Sequence, residues 1–305
     1  MTRKEPKNVA ASVRARLLAR AKTNKEDFQL VLTRFVNERI LYRLSRSEHA
    51  PRFVLKGATL FVVWRGNPHR ATRDLDLLGF GASDPESVRK VFTDMFRSDV
   101  EEDGVTFDLS TLSVGPIRDD QRYGGVRATI LAGLSGAKVR AQIDVGFGDV
   151  VTPTAAIIDV PTILDLPSPR LHAYPRETVV AEKIEAMCQL GLANSRMKDF
   201  YDLVILSRDF EFAGGLLHQA IRATFDRRGT AIPTSEPVAL TPVFYNDASK
   251  RQQWRAFQKK ARGTDLGDLP AVMAEVRAFA LPLIQQDELT DCRWVDSEWC
   301  RTGSS

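Results

Sequence analysis

Two aspartates separated by one residue, Asp74 and Asp76, are the side chains in this sequence best suited to metal-assisted chemistry. They follow a polar segment that reads as a loop entering a strand, and alternate positions on a strand face the same side. Two neighbouring carboxylates repel each other unless a cation joins them, and Mg²⁺ is held through one or two carboxylates plus substrate phosphates. The pair therefore predicts a magnesium site, although an isolated pair of this kind is also typical of an acidic turn.

Basic, hydroxyl and glycine residues lie just before this pair. Gly57 and Thr59 fall between a short predicted strand and a predicted helix, where free backbone N–H groups can receive a phosphate. Lys56 precedes the glycine, and Arg70 and Thr72 lead into the acidic pair. Phosphate-binding groups so close to metal-ligand carboxylates predict phosphoryl chemistry, with a nucleoside triphosphate (NTP) as the substrate.

A third aspartate, Asp144, lies on the polar face of a strand predicted at about 138–147. Aspartate is disfavoured in mid-strand, so a functional role would offset its presence there. If this strand neighbours the one that carries Asp74 and Asp76, three carboxylates converge, as a site for two metal ions requires. Asp144 would then complete the metal site or polarise the attacking hydroxyl as a general base. An edge-strand aspartate that faces water is the alternative.

Two helical segments carry the remaining charged candidates. Lys183 falls on the apolar stripe of a helix predicted at about 176–190, and a buried lysine needs an anionic partner. That partner is either a nucleotide phosphate or a carboxylate of the fold, and a lysine whose ammonium group reaches solvent is a third interpretation. Asp199 and Asp202 lie three residues apart at the start of the next helix, beside Lys198. Acidic residues are also favourable there for purely structural reasons.

The elements that would position these residues form an α/β half followed by a helical half. Prolines crowd residues 152–175 and mark the best candidate boundary. We therefore expect residues 1–165 to form an α/β core with N-terminal helices. We expect residues 166–305 to form a mainly helical domain that contributes Lys183 and Asp199.

Several individual elements follow from local pattern. Capping boxes beginning at Thr23 and Ser83 predict the starts of two helices. The first of these helices would span about residues 25–45, and the second would end near residue 97. Alternation predicts strands at about 105–112, 124–132 and 138–147, and helical periodicity predicts helices at about 176–190, 197–207, 213–226, 247–262 and 268–286. The tail from residue 287 is polar apart from Trp294 and Trp299.

The composition is that of an ordinary globular protein, with 305 residues of which 43% are hydrophobic and 27% charged. No stretch approaches the roughly 20 apolar residues of a membrane span, and the basic N-terminus lacks the apolar core of a signal peptide. Cys188, Cys292 and Cys300 show neither metal-ligand nor disulfide spacing. We therefore expect a cytoplasmic protein that has no membrane partner.

Positive charge is concentrated in residues 1–24 and 246–262, although the formal net charge is only +4. Local basic patches can bind a polyanion even when the whole chain is nearly neutral. In the second segment Trp254 and Phe257 are interleaved with basic residues, and we assign RNA binding to Arg251, Arg255, Lys259 and Lys260. Two solvated helix faces are the alternative interpretation.

Taken together and in this order, four clusters of residues resemble the AbiEii/AbiGii toxin family of nucleotidyltransferases. The resemblance covers roughly residues 8–285. Ala58 stands where a second glycine is common and Thr72 where serine is common, and both conserve size or hydroxyl chemistry. The clusters are Lys56-Gly57-Ala58-Thr59 with Arg70, Thr72, Asp74 and Asp76; Ile143-Asp144-Val145; Glu182-Lys183-Ile184; and Arg196, Lys198, Asp199, Asp202 and Leu203.

This resemblance implies a polymerase-β-type nucleotidyltransferase core with a mixed sheet, followed by a helical domain. It implies a toxin that transfers a nucleoside monophosphate (NMP) from an NTP with Mg²⁺, two ions being expected, and that a cognate antitoxin opposes. Relatives add nucleotides to the 3′ acceptor end of tRNA and so stop translation, which makes tRNA the expected acceptor.

The resemblance also assigns roles to individual residues. Asp74, Asp76 and Asp144 would bind Mg²⁺, Lys183 would neutralise charge on the phosphates, and Asp199 would orient Lys183 or the nucleotide. Nucleotide binding falls to six further residues: Lys56, Gly57, Thr59, Arg70, Thr72 and Lys198.

Three other functions remain open from the sequence. A metal-dependent nuclease or phosphohydrolase could use the same carboxylates, although the turn at Gly57 favours an NTP donor over hydrolysis. The acceptor could be a protein rather than RNA. A non-catalytic binding protein is the last alternative, and the carboxylates clustered beside a phosphate-binding turn argue against it.

Overall fold

The computed structural model describes residues 8–117, 124–285 and 287–302. The chain divides into two compact units, each built from segments that are separate in the sequence. Unit 1 comprises Met1–Pro68, Thr72–Gly148 and Ala156–Ala173, and unit 2 comprises His69–Ala71, Asp149–Ala155 and Tyr174–Ser305.

Unit 1 is an α/β unit around a seven-stranded sheet of order β3-β4-β5-β2-β1-β7-β6. The β2–β5 and β1–β7 pairs are parallel and the other pairs are antiparallel, so the sheet is mixed as expected. Its strands are β1 (Phe53–Lys56), β2 (Asp74–Gly79), β3 (Thr106–Pro116), β4 (Gly125–Leu134), β5 (Ala137–Phe147), β6 (Ala156–Asp159) and β7 (Arg170–Ala173), and its helices are α1 (Val9–Thr23), α2 (Phe28–Arg46), α3 (Thr59–Arg65) and α4 (Pro85–Arg97).

Both predicted capping boxes are wrong by a few residues, although the helices exist. Thr23 is the last residue of α1, and the N-cap of α2 is Asp27, whose carboxylate accepts hydrogen bonds from the backbone N–H groups of Gln29 and Leu30. Asp84, not Ser83, caps α4 and accepts from the N–H of Ser87 at 2.9 Å. In both cases an aspartate with extended backbone lies nearer the first helical turn and satisfies its donors directly.

The hairpin of β4 and β5 has a register fixed by its turn. Ser135 and Gly136 both have positive φ, 45° and 80°, as a two-residue type I′ turn requires. Leu134 therefore pairs with Ala137, and the register continues along the hairpin to its far end. The predicted alternation of β5 is present, because one face carries the buried residues Val139, Ala141, Ile143 and Val145.

A buried ion pair on α2 yields a stability prediction. Burial raises the pKa of Glu38 to about 7, even though the Arg39 guanidinium at 2.9 Å and the N–H of Ile163 at 2.7 Å both lower it. The folded pKa exceeds the unfolded value of about 4.3, so this carboxyl destabilises the fold increasingly as the pH rises from about 4 to 7.

Glu38→Gln keeps an oxygen for the Ile163 hydrogen bond but cannot ionise. The melting temperature of this variant minus that of the unaltered protein should therefore be larger at pH 8 than at pH 5. Thermal unfolding at both pH values measures the difference. Glu26→Gln, in the more exposed pair with Arg34, is the control and should show no such growth. Parallel pH profiles for the Glu38 variant and the unaltered protein would contradict the prediction.

Unit 2 is mainly helical and closes with a small sheet of order β10-β9-β8. The five helices predicted for this half are all present, and a short one precedes α9. None of the helices within the described ranges is both long and apolar enough to cross a bilayer. The elements are α5 (Arg176–Leu190), α6 (Met197–Asp209), α7 (Gly214–Arg228), α8 (Pro242–Tyr245), α9 (Ala248–Ala261) and α10 (Leu269–Gln285), with β8 (Phe212–Ala213), β9 (Cys292–Val295) and β10 (Glu298–Arg301).

Residues 292–301 of the C-terminal tail form a hairpin of β9 and β10 that packs on the rest of unit 2. Trp294 is buried and donates its indole N–H to the carbonyl of Ser207 at 2.6 Å. Trp299 stacks on Phe279 with an interplanar angle of 2°. The two tryptophans therefore attach the C-terminal hairpin to the helical core of unit 2.

Candidate active site

Three neighbouring strands of unit 1 bring charged residues onto one face of the sheet. Asp76 on β2 lies abreast of Asp144 on the parallel strand β5 and opposite Lys56 on the antiparallel strand β1. Residues paired in this way share a face, and Asp74 joins them because it lies two residues before Asp76. Asp74 is exposed and Asp76 is half-buried, while Leu75 between them is buried on the other face. The sheet thus presents three carboxylates and one ammonium group on the same face.

The start of β2 is held by a side chain from α2. Asn37 is buried and donates its amide N–H to the backbone carbonyl of Arg73 at 3.1 Å. The hydroxyl of Thr72 lies 3.5 Å from the carbonyl oxygen of Asp74. These contacts hold the backbone at the start of β2, so the packing of α2 helps to position Asp74 and Asp76.

Gly57 lies directly against the carboxylate of Asp76. Its φ is +77°, and a Cβ at this position would come within 2.1 Å of the Oδ2 atom of Asp76. The turn therefore requires glycine for two reasons, the left-handed backbone and the close approach of the carboxylate. Thr59 follows as the first residue of α3, which is only seven residues long.

Gly57→Ala should consequently displace the Asp76 carboxylate and lower activity at least about 10²-fold, by analogy with the loss of one preorganised electrostatic group. Gly66→Ala is the matched control, because Gly66 also has a positive φ of 76° but nothing lies within 4 Å of its added Cβ. Both variants carry the backbone strain of about 1–2 kcal/mol. Transfer assays together with thermal unfolding compare them, and equal activity in the two variants would show that the approach to Asp76 is unimportant.

Asp144 is engaged by an arginine that sequence reasoning missed. Arg127, its cross-strand neighbour on β4, donates from Nε to Oδ1 and from Nη2 to Oδ2, both at 2.8 Å. Gln142 adds a weaker contact to Oδ2 at 3.3 Å. The signal was present in the sequence, because the Ser135-Gly136 turn sets the register that places Arg127 opposite Asp144.

The acidic face fits a magnesium ion through two of its carboxylates. Among the described residues, no three histidine, cysteine or acidic side chains are gathered closely enough to hold a metal ion. Mg²⁺ needs only one or two protein carboxylates when substrate phosphates supply further oxygens. Asp74 and Asp76 meet that requirement, because they lie two residues apart on one strand face.

Unit 2 holds the second group of sequence-predicted residues in a buried ionic network. The ammonium group of Lys183 on α5 donates to Asp199 and to Asp202 on α6, both at 2.8 Å. The side chains of Lys183, Asp199 and Asp202 are 12%, 3% and 1% exposed. Of the two partners considered for Lys183, the structure supplies carboxylates of the fold, and they take two of its three N–H donors.

Asp202 is the centre of this network. Arg70 donates to both of its oxygens, from Nε at 2.8 Å and from Nη2 at 3.0 Å. Nε2 of His69 lies 2.7 Å from Oδ1 of Asp202. Sequence reasoning noted Asp202 without giving it a role and did not consider His69, because contacts between residues 132 or 133 positions apart leave no local pattern. Arg70 thus has a carboxylate partner within unit 2.

The charges of this network reinforce one another. Burial on its own would lower the pKa of Lys183, but Asp199 and Asp202 outweigh it and the pKa is raised. Burial would likewise raise the pKa of Asp202, yet Lys183 and Arg70 hold it well below the usual range. Burial lowers the pKa of His69 despite the neighbouring Asp202, so the neutral imidazole can serve as a hydrogen-bond donor to that carboxylate.

The basic residues assigned to RNA binding lie on α9 of unit 2. Arg251, Arg255, Lys259 and Lys260 are all exposed. Trp254, which alternates with them in the sequence, does not share their exposed face, because it is 1% exposed and donates its indole N–H to the carbonyl of Gly267 at 2.9 Å. A large indole ring on the inner face of an amphipathic helix gains more from core packing than from solvent.

Basic residues of two other predicted segments also lie at the surface. Lys198 is exposed near the start of α6. In the basic N-terminal segment, Arg16 and Arg20 are exposed on α1. The first seven residues of that segment lie outside the described part of the chain.

A family comparison identifies the class of protein to which this chain belongs. The profile of the family described as nucleotidyl transferase AbiEii toxin, type IV toxin–antitoxin system, matches residues 39–276. The chain belongs to this family. The resemblance inferred from the four residue clusters is thereby confirmed, and so is the class of enzyme, a nucleotidyltransferase.

Two solved structures are similar to this chain. A candidate nucleotidyltransferase from Helicobacter pylori is similar over 81% of this chain and 92% of its own, with 13% identity and a TM-score of 0.47. The Helicobacter pylori protein JHP933 is similar over 82% of this chain and 91% of its own, with 13% identity and a TM-score of 0.48. No curated protein matches.

Proposed function

We propose that this toxin transfers an NMP from an NTP to an acceptor hydroxyl in a Mg²⁺-dependent reaction that releases pyrophosphate. The observation that carries the proposal is the acidic face of unit 1, where Asp76 lies abreast of Asp144, two residues from Asp74 and against Gly57. Membership of a nucleotidyltransferase family supports the same reaction.

Each residue of this face has a part in the proposed reaction. Asp74 and Asp76 would hold Mg²⁺, which when bound would supply positive charge to the phosphates and acidify the acceptor hydroxyl. Asp144 takes the proton of that hydroxyl while the hydroxyl oxygen forms its bond to the α-phosphorus. The bond from the α-phosphorus to the bridging oxygen breaks, and pyrophosphate leaves with the electron pair. Four residues bind the triphosphate: Lys56, Gly57, Thr59 and Thr72.

For unit 2 we propose that Lys183 uses its third N–H donor to bind an anionic group of the substrate. Asp199 keeps the ammonium group charged and oriented, which is a positioning role. Nucleotide binding by Lys198 and Arg70 stays a prediction, and for Arg70 it requires that the guanidinium serve both Asp202 and the substrate.

The proposed acceptor is RNA, in particular the 3′ end of tRNA, whose modification would block translation. The exposed basic face of α9 supports a polyanionic acceptor. All three cysteines are free thiols, which supports a reducing cytoplasm as the site of action. Because the family belongs to toxin–antitoxin systems, we also propose a cognate antitoxin as the protein partner.

Reversing the charge of α9 tests the acceptor site. Lys259→Glu combined with Lys260→Glu should weaken RNA binding, flatten its salt dependence and leave NTP binding unchanged. The control is Lys90→Glu with Lys138→Glu, which changes net charge equally at exposed positions in unit 1. Filter-binding titrations at several salt concentrations give the RNA affinity and its salt dependence. Unchanged RNA affinity in the α9 variant would contradict RNA binding by these lysines and favour the alternative, a solvated helix face.

The function as a whole is tested by incubating the protein with Mg²⁺, each NTP labelled at the α-phosphate, and total RNA. Label on RNA of tRNA size is the expected result. Label on a protein would replace the proposed acceptor with a polypeptide. Label on neither, with free NMP or shortened RNA as the product, would favour the hydrolase and contradict transfer.

A further inference from the structure

The third carboxylate of the acidic face, Asp144, is bound by an arginine. Asp144 lies abreast of Asp76, yet both of its oxygens accept hydrogen bonds from the guanidinium of Arg127 at 2.8 Å. A two-bond fork of this kind fixes the plane of a carboxylate as well as its position. The direction of the Asp144 side chain is therefore set by Arg127.

This pairing is built into the hairpin and is nevertheless accessible to an ion from solution. The turn at Ser135 and Gly136 fixes the register, so Arg127 is the direct cross-strand neighbour of Asp144. The side chains are 40% and 18% exposed, respectively. Because solvent reaches the pair, its net attraction is modest, and a divalent cation that approaches Asp76 can compete for the same oxygens.

We propose that Arg127 and a divalent cation compete for Asp144, so that Arg127 sets the cation affinity of the acidic face. The inference rests on the proposed function, because it takes Asp74 and Asp76 as the primary cation ligands. With Arg127 in place, those two carboxylates bind the cation, and the oxygens of Asp144 are shared between Arg127 and the cation. Without Arg127, Asp144 is available as a further oxygen ligand, which hard cations such as Mg²⁺ and Mn²⁺ prefer.

The test is a double-mutant cycle read by cation binding rather than by activity. Mn²⁺ alone is titrated by calorimetry into the full-length protein and into Arg127→Gln, Asp144→Asn and the combined variant. We expect Arg127→Gln to raise the Mn²⁺ affinity about tenfold, which equals about 1.4 kcal/mol. In the Asp144→Asn background the same replacement should give no gain. Arg127→Lys keeps the charge but loses the two-bond fork, so its Mn²⁺ affinity should lie between those of the unaltered protein and Arg127→Gln.

The cycle separates competition from simple charge repulsion. If Arg127 acted only by repelling the cation, Arg127→Gln would raise the affinity equally in both backgrounds, and the proposal would be overturned. An absence of gain in the Asp144-containing protein would also overturn it. Thermal unfolding in EDTA checks that each variant is folded, and little change is expected for a partly exposed pair.

A separate arm reports on the proposed function itself. Asp76→Asn should abolish Mn²⁺ binding whether or not Arg127 is present. If Asp76→Asn binds Mn²⁺ normally, the metal pair of the proposed function fails. If Asp76→Asn abolishes binding while the Arg127 cycle shows no coupling, only the competition is refuted.

Discussion

Asp76→Asn and Asp74→Asn are each expected to abolish nucleotide transfer while leaving the protein folded. Asparagine has nearly the size of aspartate, so the packing of Gly57 against residue 76 is retained, but a neutral amide binds Mg²⁺ much more weakly than a carboxylate. The charge stabilisation lost is several kcal/mol, which corresponds to a fall of about 10³-fold or more in rate. Relief of any growth inhibition by the toxin should accompany it.

Asp159→Asn is the matched control for these variants, because Asp159 is an exposed carboxylate on β6 of the same sheet. It should retain full transfer activity. Rates with saturating NTP and Mg²⁺, measured beside circular dichroism spectra, make the comparison. Full activity of either β2 variant with Mg²⁺ present would remove the metal role from that aspartate.

Breaking the buried network of unit 2 is expected to have the largest effect on stability. Asp202→Ala leaves Lys183, Arg70 and His69 without their shared acceptor, and Lys183→Met leaves Asp199 and Asp202 without their shared ammonium group. Removing one partner from a buried ion pair costs about 3–5 kcal/mol. Each variant should lower the free energy of unfolding of unit 2 by an amount of this order.

Arg208→Met provides the control within the same unit. Arg208 and Glu275 form an exposed ion pair at 2.6 Å, with side chains 40% and 37% exposed. Exposed pairs of this kind contribute about 1 kcal/mol or less. Denaturant unfolding of the three variants compares them, and equal losses would show that the Lys183 network contributes no more than a surface contact.

The same network predicts how stability depends on pH. The pKa values of Asp199 and Asp202 are lowered in the fold, so their contribution is present above the unfolded pKa of about 4 and is lost as the pH falls further. The pKa of Lys183 is raised, so its contribution is present below about pH 10 and is lost above its folded pKa. The unaltered network should therefore stabilise unit 2 throughout the neutral range.

Catalysis per folded molecule distinguishes the two roles of Lys183. If its third N–H meets a substrate anion, Lys183→Met should lower the rate per folded molecule roughly 10²–10³-fold in addition to destabilising unit 2. Lys183→Arg should recover little of that rate, because a planar fork replaces a point charge. A variant that is unstable but fully active per folded molecule would leave Lys183 with a structural role alone.

The sequence predicted most clearly those features that depend on neighbouring residues. The helices α5 and α6 follow from apolar periodicity, and the spacing of Asp74 and Asp76 places them on one strand face. β6 and β7 have only four residues each and lie in the proline-rich segment, where alternation cannot be recognised. The burial of Trp294 was missed because it comes from packing of the C-terminal hairpin on distant helices.

The contacts that define the candidate site are harder to predict from the sequence. The pairing of Asp76 with Asp144 depends on the parallel neighbours β2 and β5, and strand order cannot be read from spacing. The sequence allows either a phosphate or a carboxylate as the partner of Lys183, because only the packing of α5 on α6 decides between them. The Arg127–Asp144 pair, in contrast, follows from the two-residue turn of the hairpin and could have been predicted.

The most direct measurement follows which bond of the NTP is broken. The protein is incubated with Mg²⁺, total RNA and an NTP labelled either at the α-phosphate or at the γ-phosphate. We predict that the α-label becomes attached to RNA and that the γ-label is released as pyrophosphate, with both signals absent in Asp76→Asn. Transfer of the γ-label to RNA or protein, or its release as inorganic phosphate without attachment of the α-label, would contradict nucleotidyl transfer.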